Sequence, residues 1–315
     1  MKALLHFFIY VLTTLGAILG FAQTSQITEV AIDTHLLGDL YTSAAQSDNL
    51  VIIVPGSGPT NRNGNSFAGL KIKSNSYQLL AKALVVQGLD VFTYDKRFIT
   101  QLKLNIPIKE EEERFEDGVN DLALLVDHFS TTYPKITLVG HSEGALVANI
   151  LANTSNKVTQ YVALQSPGVA ADQIIYEQVV KQLPALGDQV KRINASLKKG
   201  QQVDDVLPML LSLYRPSVQP YLISWMQYDP CVEIQKIKQP VLIIDGDKDL
   251  QVSLRQGDLL SQANPKAKRV TLQNMNHVLK QLDKDEDNMK SYGDPSFPLH
   301  PELASTIATF IQTDK

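Results

Sequence analysis

KITLVGHSEG, residues 135–144, is the stretch on which the reading of the whole chain turns. Ile136 to Val139 is a short β-branched apolar run of the kind that forms a buried strand, and Ala145 to Leu151 has the character of a helix. Between them stands Gly140-His141-Ser142-Glu143-Gly144. A strand, a sharp turn and a helix around G-x-S-x-G is the setting in which a serine sits exposed at the apex of a strained turn. The glycines have a physical task there, because the flanking backbone comes too close for a Cβ. Ser142 is therefore a candidate nucleophile. A pentapeptide pattern can arise by chance, so its surroundings must decide.

Working outward, apolar strands alternate with amphipathic helices. Upstream, Leu50 to Val54 is a continuous apolar run that ends in Pro55-Gly56-Ser57-Gly58-Pro59, Ser76 to Gln87 has helical spacing with Gly88 as its stop, and Leu89 to Tyr94 is a further core strand. Val119, Leu122, Leu125, Val126 and Phe129 mark a helix over Phe115 to Phe129. Ile27 to Ser43 alternates as an antiparallel hairpin or meander. Downstream come strands at Val158 to Gln165, Val241 to Ile244 and Lys268 to Leu272, a helix near Leu254 to Gln262 and a closing helix from Pro301 to Ile311. This rhythm predicts an α/β fold, with a mostly parallel sheet covered by helices on both faces.

Between Gly168 and Pro230 the strand signal disappears. Three helices are expected there, one around Ile174 to Leu183, one around Val190 to Leu197 and one over Val206 to Leu213. A helical insertion between two strands is either a cap over the strand ends or a set of helices packed beside the sheet. The expected organisation is thus residues 1–22 as a leader, 23–167 and 231–315 as two parts of one core, and 168–230 as a helical cap insertion. Tyr214, Tyr221, Trp225 and Met226 either line a pocket or pack the insertion itself.

Composition narrows the function classes. With 29 basic and 33 acidic residues, and no basic run, the chain has nothing to track a phosphate backbone, and nucleic acid is not an expected partner. Lys2 precedes an apolar run from Ala3 to Phe21, and Gly20 and Ala22 stand at the −3 and −1 positions of a cut before Gln23. That is the pattern of a secretory signal peptide, with an uncleaved anchor as the alternative. The expectation is export to the periplasm or medium, without stable membrane association once cleaved. Cys231 is the single cysteine, which excludes an intramolecular disulfide, and its expected role is a small buried hydrophobe.

A serine hydroxyl needs a base within hydrogen-bond reach and a third group to orient that base. On this kind of sheet the order along the chain is serine, acid, histidine. Of the six histidines, only His277 and His300 follow both Ser142 and a plausible acid. His277 lies in the loop just past the strand ending at Leu272 and is preferred, whereas His300 precedes Pro301 at a helix start, where a cap is expected. His141, inside the turn, is expected to pack beside the strand. The acid belongs on the loop after Val241-Leu242-Ile243-Ile244, where Asp249 is preferred and Asp247 is second. A calcium loop over these aspartates fails, because Leu250 and Gln256 occupy the positions that need glycine and glutamate. No metal or cofactor is expected. Oxyanion donors are expected from the N–H of Glu143 and, in the glycine-flanked loop, the N–H of Ser57.

Taken together, Pro55-Gly56-Ser57-Gly58-Pro59, Asn61-Arg62-Asn63-Gly64-Asn65, Tyr94-Asp95-Lys96-Arg97, GHSEG, Gly246 with Asp249, Asn276-His277 and Pro298-Leu299-His300-Pro301-Glu302 resemble the α/β-hydrolase superfamily. Among its members the match is to bacterial serine esterases and serine-aminopeptidase-like hydrolases with a GHSEG elbow. The resemblance spans the mature chain and implies a Ser142/Asp249/His277 esterase acting on small acyl esters without metal or cofactor. Peptidase and acyltransferase chemistry use the same residues, and a binding protein that keeps the fold without catalysis is the alternative from another class. One departure stands out. Where the family has a glycine-rich turn after Asp-Lys-Arg, this chain has Phe98-Ile99-Thr100, read either as an apolar side chain turned toward the acyl pocket or as a surface loop of altered composition.

Overall fold

A computed structural model describes residues 26–44, 47–67 and 71–313. The leader expected over residues 1–22 lies outside the described residues. Eight strands form one sheet: β1 (Gln26–Asp33), β2 (Leu36–Thr42), β3 (Asn49–Val54), β4 (Asp90–Tyr94), β5 (Lys135–His141), β6 (Val158–Leu164), β7 (Val241–Gly246) and β8 (Lys268–Leu272). Their order across the sheet is β1-β2-β4-β3-β5-β6-β7-β8. The hairpin β1/β2 and the β2/β4 pair are antiparallel, and every other pair is parallel.

Both faces of the central parallel strands are covered, which is why Leu50 to Val54 of β3 and Val241 to Ile244 of β7 are apolar without interruption. The pleat sends Leu50, Ile52 and Val54 of β3 to one face and Val51 and Ile53 to the other. The first face is closed by α3 (Phe115–Phe129) and α4 (Glu143–Thr154), through Phe115, Leu122, Leu125, Val126, Leu146 and Leu151. The second is closed by α1 (Ser76–Val86) and α12 (Leu303–Thr313), through Leu80, Leu84, Leu303, Ile307 and Phe310. Each fully buried Leu, Ile or Phe contributes roughly 1.5–3 kcal/mol of transfer free energy, so the two layers hold the sheet rigidly under the loops at its edge.

Two expectations need correction. Phe98-Ile99-Thr100 is not a loop but the first turn of α2 (Arg97–Leu104), with Ile99 and Thr100 buried and the helix lying against β2. None of the three lines the cavity that contains Ser142. The helix expected over Val206 to Leu213 is instead a 3-10 turn at Pro208–Leu210 followed by the single turn α7 (Leu211–Tyr214). Pro208 has no N–H to give a helix interior and stands at a first helical position, as its fixed φ favours.

The rest of the segment between β6 and β7 holds α5 (Ala171–Gln182), α6 (Gly187–Leu197), α8 (Gln219–Trp225) and α9 (Pro230–Lys236). It rests on the N-terminal end of α3. The Phe115 N–H donates to Ser224 Oγ at 2.8 Å, and the Trp225 ring stacks on Phe115 with centroids 6.0 Å apart. Tyr214 is buried against Asn194. The helix α9 starts where Asp229 caps the N–H groups of Cys231 and Val232 behind Pro230. Cys231 itself is half-buried, its thiol donating to the Gly168 carbonyl at 3.0 Å, and burial pushes that thiol up to about 11. The remaining core helices are α10 (Leu254–Ala263), beside β7, and α11 (Asn288–Gly293).

Candidate active site

β5 ends at His141 and α4 begins at Glu143, which leaves Ser142 alone in the turn. Its backbone, at φ 55° and ψ −124°, is one that side-chain-bearing residues rarely adopt. The chain on either side is packed tightly enough to hold it. A Cβ on Gly140 would lie 2.4 Å from Ala145 Cα, and one on Gly144 would lie 2.4 Å from the carbonyl oxygens of Val54 and Pro55. The Ser142 N–H still donates to the Leu164 carbonyl of the neighbouring strand at 3.0 Å, so the turn is anchored to the sheet.

Asp249 and His277 come from the loops after β7 and β8, and the structure brings them together. Asp249 Oδ1 accepts the N–H groups of Gln251 and Val252 at 2.7 and 2.8 Å, which leaves Oδ2 to accept from His277 Nδ1 at 2.7 Å. Both side chains are buried. With the proton on Nδ1, the Nε2 atom of His277 is an acceptor, the state a base requires. No hydrogen bond joins Ser142 Oγ to His277 among the described residues, but both residues line one cleft together with Gly56, Ser57, Tyr77 and Gln251. The other candidates are engaged elsewhere. Asp247 accepts the Asn274 N–H, and Asp245 accepts from Arg269. His300 donates through Nε2 to the Gln273 carbonyl, while its Nδ1 accepts the Glu302 N–H ahead of α12, which is the capping role expected of it.

The loop before α1 supplies the opposite wall. Ser57 is exposed and lines the same cleft, and its carbonyl accepts the Thr60 hydroxyl. Glu143 is the first residue of α4, where an N–H has no intrahelical acceptor and the helix dipole is positive. Glu143 adjoins Ser142 in the chain, and Ser57 lines the same cleft as Ser142.

Behind the cleft runs a relay that the sequence does not reveal. The Gly56 N–H donates to the Tyr77 hydroxyl at 3.0 Å, the Tyr77 hydroxyl donates to His141 Nδ1 at 2.8 Å, and His141 Nε2–H donates to the main-chain carbonyl of His277 at 2.9 Å. Burial, reinforced by the nearby His277, pulls the His141 imidazole down to about 3, so it is neutral and its tautomer is set by these partners. His141 is thus more than packing beside the strand. Its position next to the serine was visible in the sequence, but its partners, on a helix and on a distant loop, were not.

Residues 168–230 contribute nothing to the lining of this cleft. They reach the elbow through the Tyr221 hydroxyl of α8, which donates to Glu143 Oε1 at 2.8 Å. Tyr214 packs the inserted segment itself, against Asn194, and Trp225 packs that segment onto Phe115 of α3.

Comparison with known proteins agrees with this architecture. The family model described as serine aminopeptidase, S33, matches residues 66–235, a stretch that contains Ser142 and stops before Asp249. A comparison with curated proteins finds no match. Among solved structures, the esterase Est1E of Butyrivibrio proteoclasticus superposes with a TM-score of 0.56 at 15% identity, covering 91% of this chain and 99% of that one. An esterase of Pyrococcus furiosus gives 0.54 at 15% identity, covering 92% and 90%. A protein described as a putative non-heme bromoperoxidase from Mycobacterium tuberculosis H37Rv gives 0.55 at 19% identity, covering 89% and 96%. At such identities the structures speak for the fold, and the fold together with the matched family model establishes that the chain belongs to the serine aminopeptidase S33 family of α/β-hydrolases.

Proposed function

We propose that this hydrolase is a serine carboxylesterase that cleaves small acyl esters through an acyl-enzyme on Ser142. The observation that carries the proposal is the buried Asp249–His277 pair, joined at 2.7 Å, whose histidine lines the cleft of Ser142. His277 Nε2 takes the serine proton as Oγ attacks the ester carbonyl, and Asp249 steadies the imidazolium that forms. The N–H groups of Ser57 and Glu143 stabilise the oxyanion. The tetrahedral intermediate expels the alcohol, which takes its proton from His277; water then attacks the acyl carbonyl as it gives a proton to His277, and His277 returns that proton to Ser142 Oγ as the acid departs. The cleft, a cavity of about 50 Å³, suits a short acyl chain rather than a long one.

The test is turnover of short p-nitrophenyl esters together with labelling by a fluorophosphonate. Wild-type protein is expected to do both and Ser142→Ala neither; turnover retained by Ser142→Ala would sink the reading. A second reading, cleavage of aminoacyl amides, is favoured by the description of the matched family. Faster hydrolysis of aminoacyl p-nitroanilides than of the esters would establish it in place of the first. The apolar run and small residues at 1–22 support export of the enzyme. N-terminal sequencing of secreted or periplasmic protein, with Gln23 as the expected first residue, checks that proposal.

A further inference from the structure

We propose that Lys96 is a positioning residue for the oxyanion hole, holding both of its donors through the residues that carry them. The inference rests on the serine-hydrolase reading and assigns a part in it to a residue that does not touch the reacting atoms.

Lys96 stands between β4 and α2, its own N–H fixed on the Thr60 carbonyl. Its ammonium group donates to the Gly56 carbonyl at 3.2 Å and to Glu143 Oε1 at 2.9 Å. The first contact matters because the Gly56 carbonyl and the Ser57 N–H belong to one peptide group. That group is planar, so fixing the oxygen fixes the direction of the N–H on its far side. A cation on the oxygen also polarises the group and makes its N–H a stronger donor. The Gly56 N–H, bound to Tyr77, holds the preceding peptide, so the loop is secured on both sides of Gly56.

The second contact matters for charge. The Glu143 side chain is 2% exposed, and its Oε2 atom is buried without a hydrogen-bond partner. A lone carboxylate here would oppose negative charge developing on the substrate oxygen a residue away, because interactions in a dry site are weakly screened. Lys96 neutralises it, and the Tyr221 hydroxyl shares the same oxygen. One ammonium group thereby aims the Ser57 donor and cancels a charge that would work against the Glu143 donor. Stability alone is a poor explanation for the pair, since a buried ion pair gains little over an apolar replacement.

The experiment compares wild type, Lys96→Met and Lys96→Arg in p-nitrophenyl acetate turnover, in inhibition by an alkyl boronic acid that mimics the tetrahedral intermediate, and in thermal unfolding. Removing one oxyanion donor outright costs about 10²–10³ in kcat, so misaiming it is expected to cost Lys96→Met roughly 10–100-fold. KM should change by less than about threefold, boronate affinity should fall in parallel with kcat, and Lys96→Arg should recover part of both losses. Should Lys96→Met not fold, Lys96→Gln, neutral and shorter, reads the same loss. A Lys96→Met enzyme with wild-type kcat and boronate affinity, or one whose entire loss lies in KM, overturns the role. Wild-type protein that neither turns over esters nor reacts with a fluorophosphonate overturns the hydrolase reading first, and the role of Lys96 with it.

Discussion

His141 Nε2–H donates to the main-chain carbonyl of His277 at 2.9 Å, so the residue before the elbow serine holds the backbone that carries the base. The two rings lie 4.8 Å apart, and a second positive charge so close to a protonated His277 would be unfavourable. Burial keeps His141 neutral in the folded state, at about 3 against an ordinary value of 6.5. In the unfolded chain it protonates normally. Between pH 6.5 and 3 the unfolded state therefore binds more protons, and stability falls as pH falls, by about 1.4 kcal/mol per unit at most. Urea unfolding at pH 7, 5 and 4 checks this. The wild type is expected to lose stability more steeply across that range than His141→Gln, which has no imidazole to charge.

Tyr77→Phe is expected to damage both walls of the cleft. The hydroxyl accepts from Gly56 and donates to His141, and its loss leaves two buried polar atoms without partners. Each such orphan costs roughly 1–3 kcal/mol. The expected outcome is a loss of about 2 kcal/mol or more in denaturant unfolding and a fall in kcat larger than any change in KM, since the Gly56 loop loses its tether and His141, which holds the His277 carbonyl, loses the partner that fixes its tautomer.

Much of this site was legible because it lies at strand ends, and these strands announce themselves. Leu50 to Val54 and Val241 to Ile244 are buried on both faces, so they are apolar without interruption, and the loops after them could be searched for a donor and an acid. Chain order left His277 and His300, and the place of His277 just past the strand ending at Leu272 chose between them. What escaped had no period to read. In α2, Leu102 and Leu104 face solvent while only Ile99 and Thr100 are buried, so the apolar pattern points away from the helix that forms. The turns between Pro208 and Trp225 are too short to show a repeat. The Tyr77–His141 bond joins residues 64 positions apart, and Lys96–Glu143 joins residues 47 apart, through a fold that neither residue specifies by itself.

Asp249→Asn separates orientation from charge. The amide oxygen can still accept from Gln251 and Val252, but its NH2 would then face Nδ1 of His277 and force the proton onto Nε2, where no base remains. Turnover of p-nitrophenyl acetate is expected to fall by about three to four orders of magnitude with little change in KM. Asp247→Asn keeps an acceptor for the Asn274 N–H and stays within about twofold of wild type. Equal losses in the two variants would mean that the acid has been misassigned.

Two glycine-to-alanine changes on neighbouring helices should move stability in opposite directions. In Gly144→Ala the new methyl group would meet the Val54 and Pro55 carbonyl oxygens at 2.4 Å, backbone atoms that cannot step aside without moving the end of β3 and the Gly56 loop with it. Overpacking of this kind costs about 1–3 kcal/mol or more, and here it also displaces the loop that carries Ser57, so activity should fall even in protein that remains folded. In Gly118→Ala, within α3, the nearest atom to the added methyl is Val147 Cγ2 at 3.6 Å, an ordinary contact. Alanine there is expected to add about 0.5–1 kcal/mol by restricting the unfolded chain and favouring the helix. Thermal melts of the two variants beside wild type read both signs in one measurement. A Gly144→Ala protein as stable and active as wild type would show that the elbow does not press on β3 as the distances require.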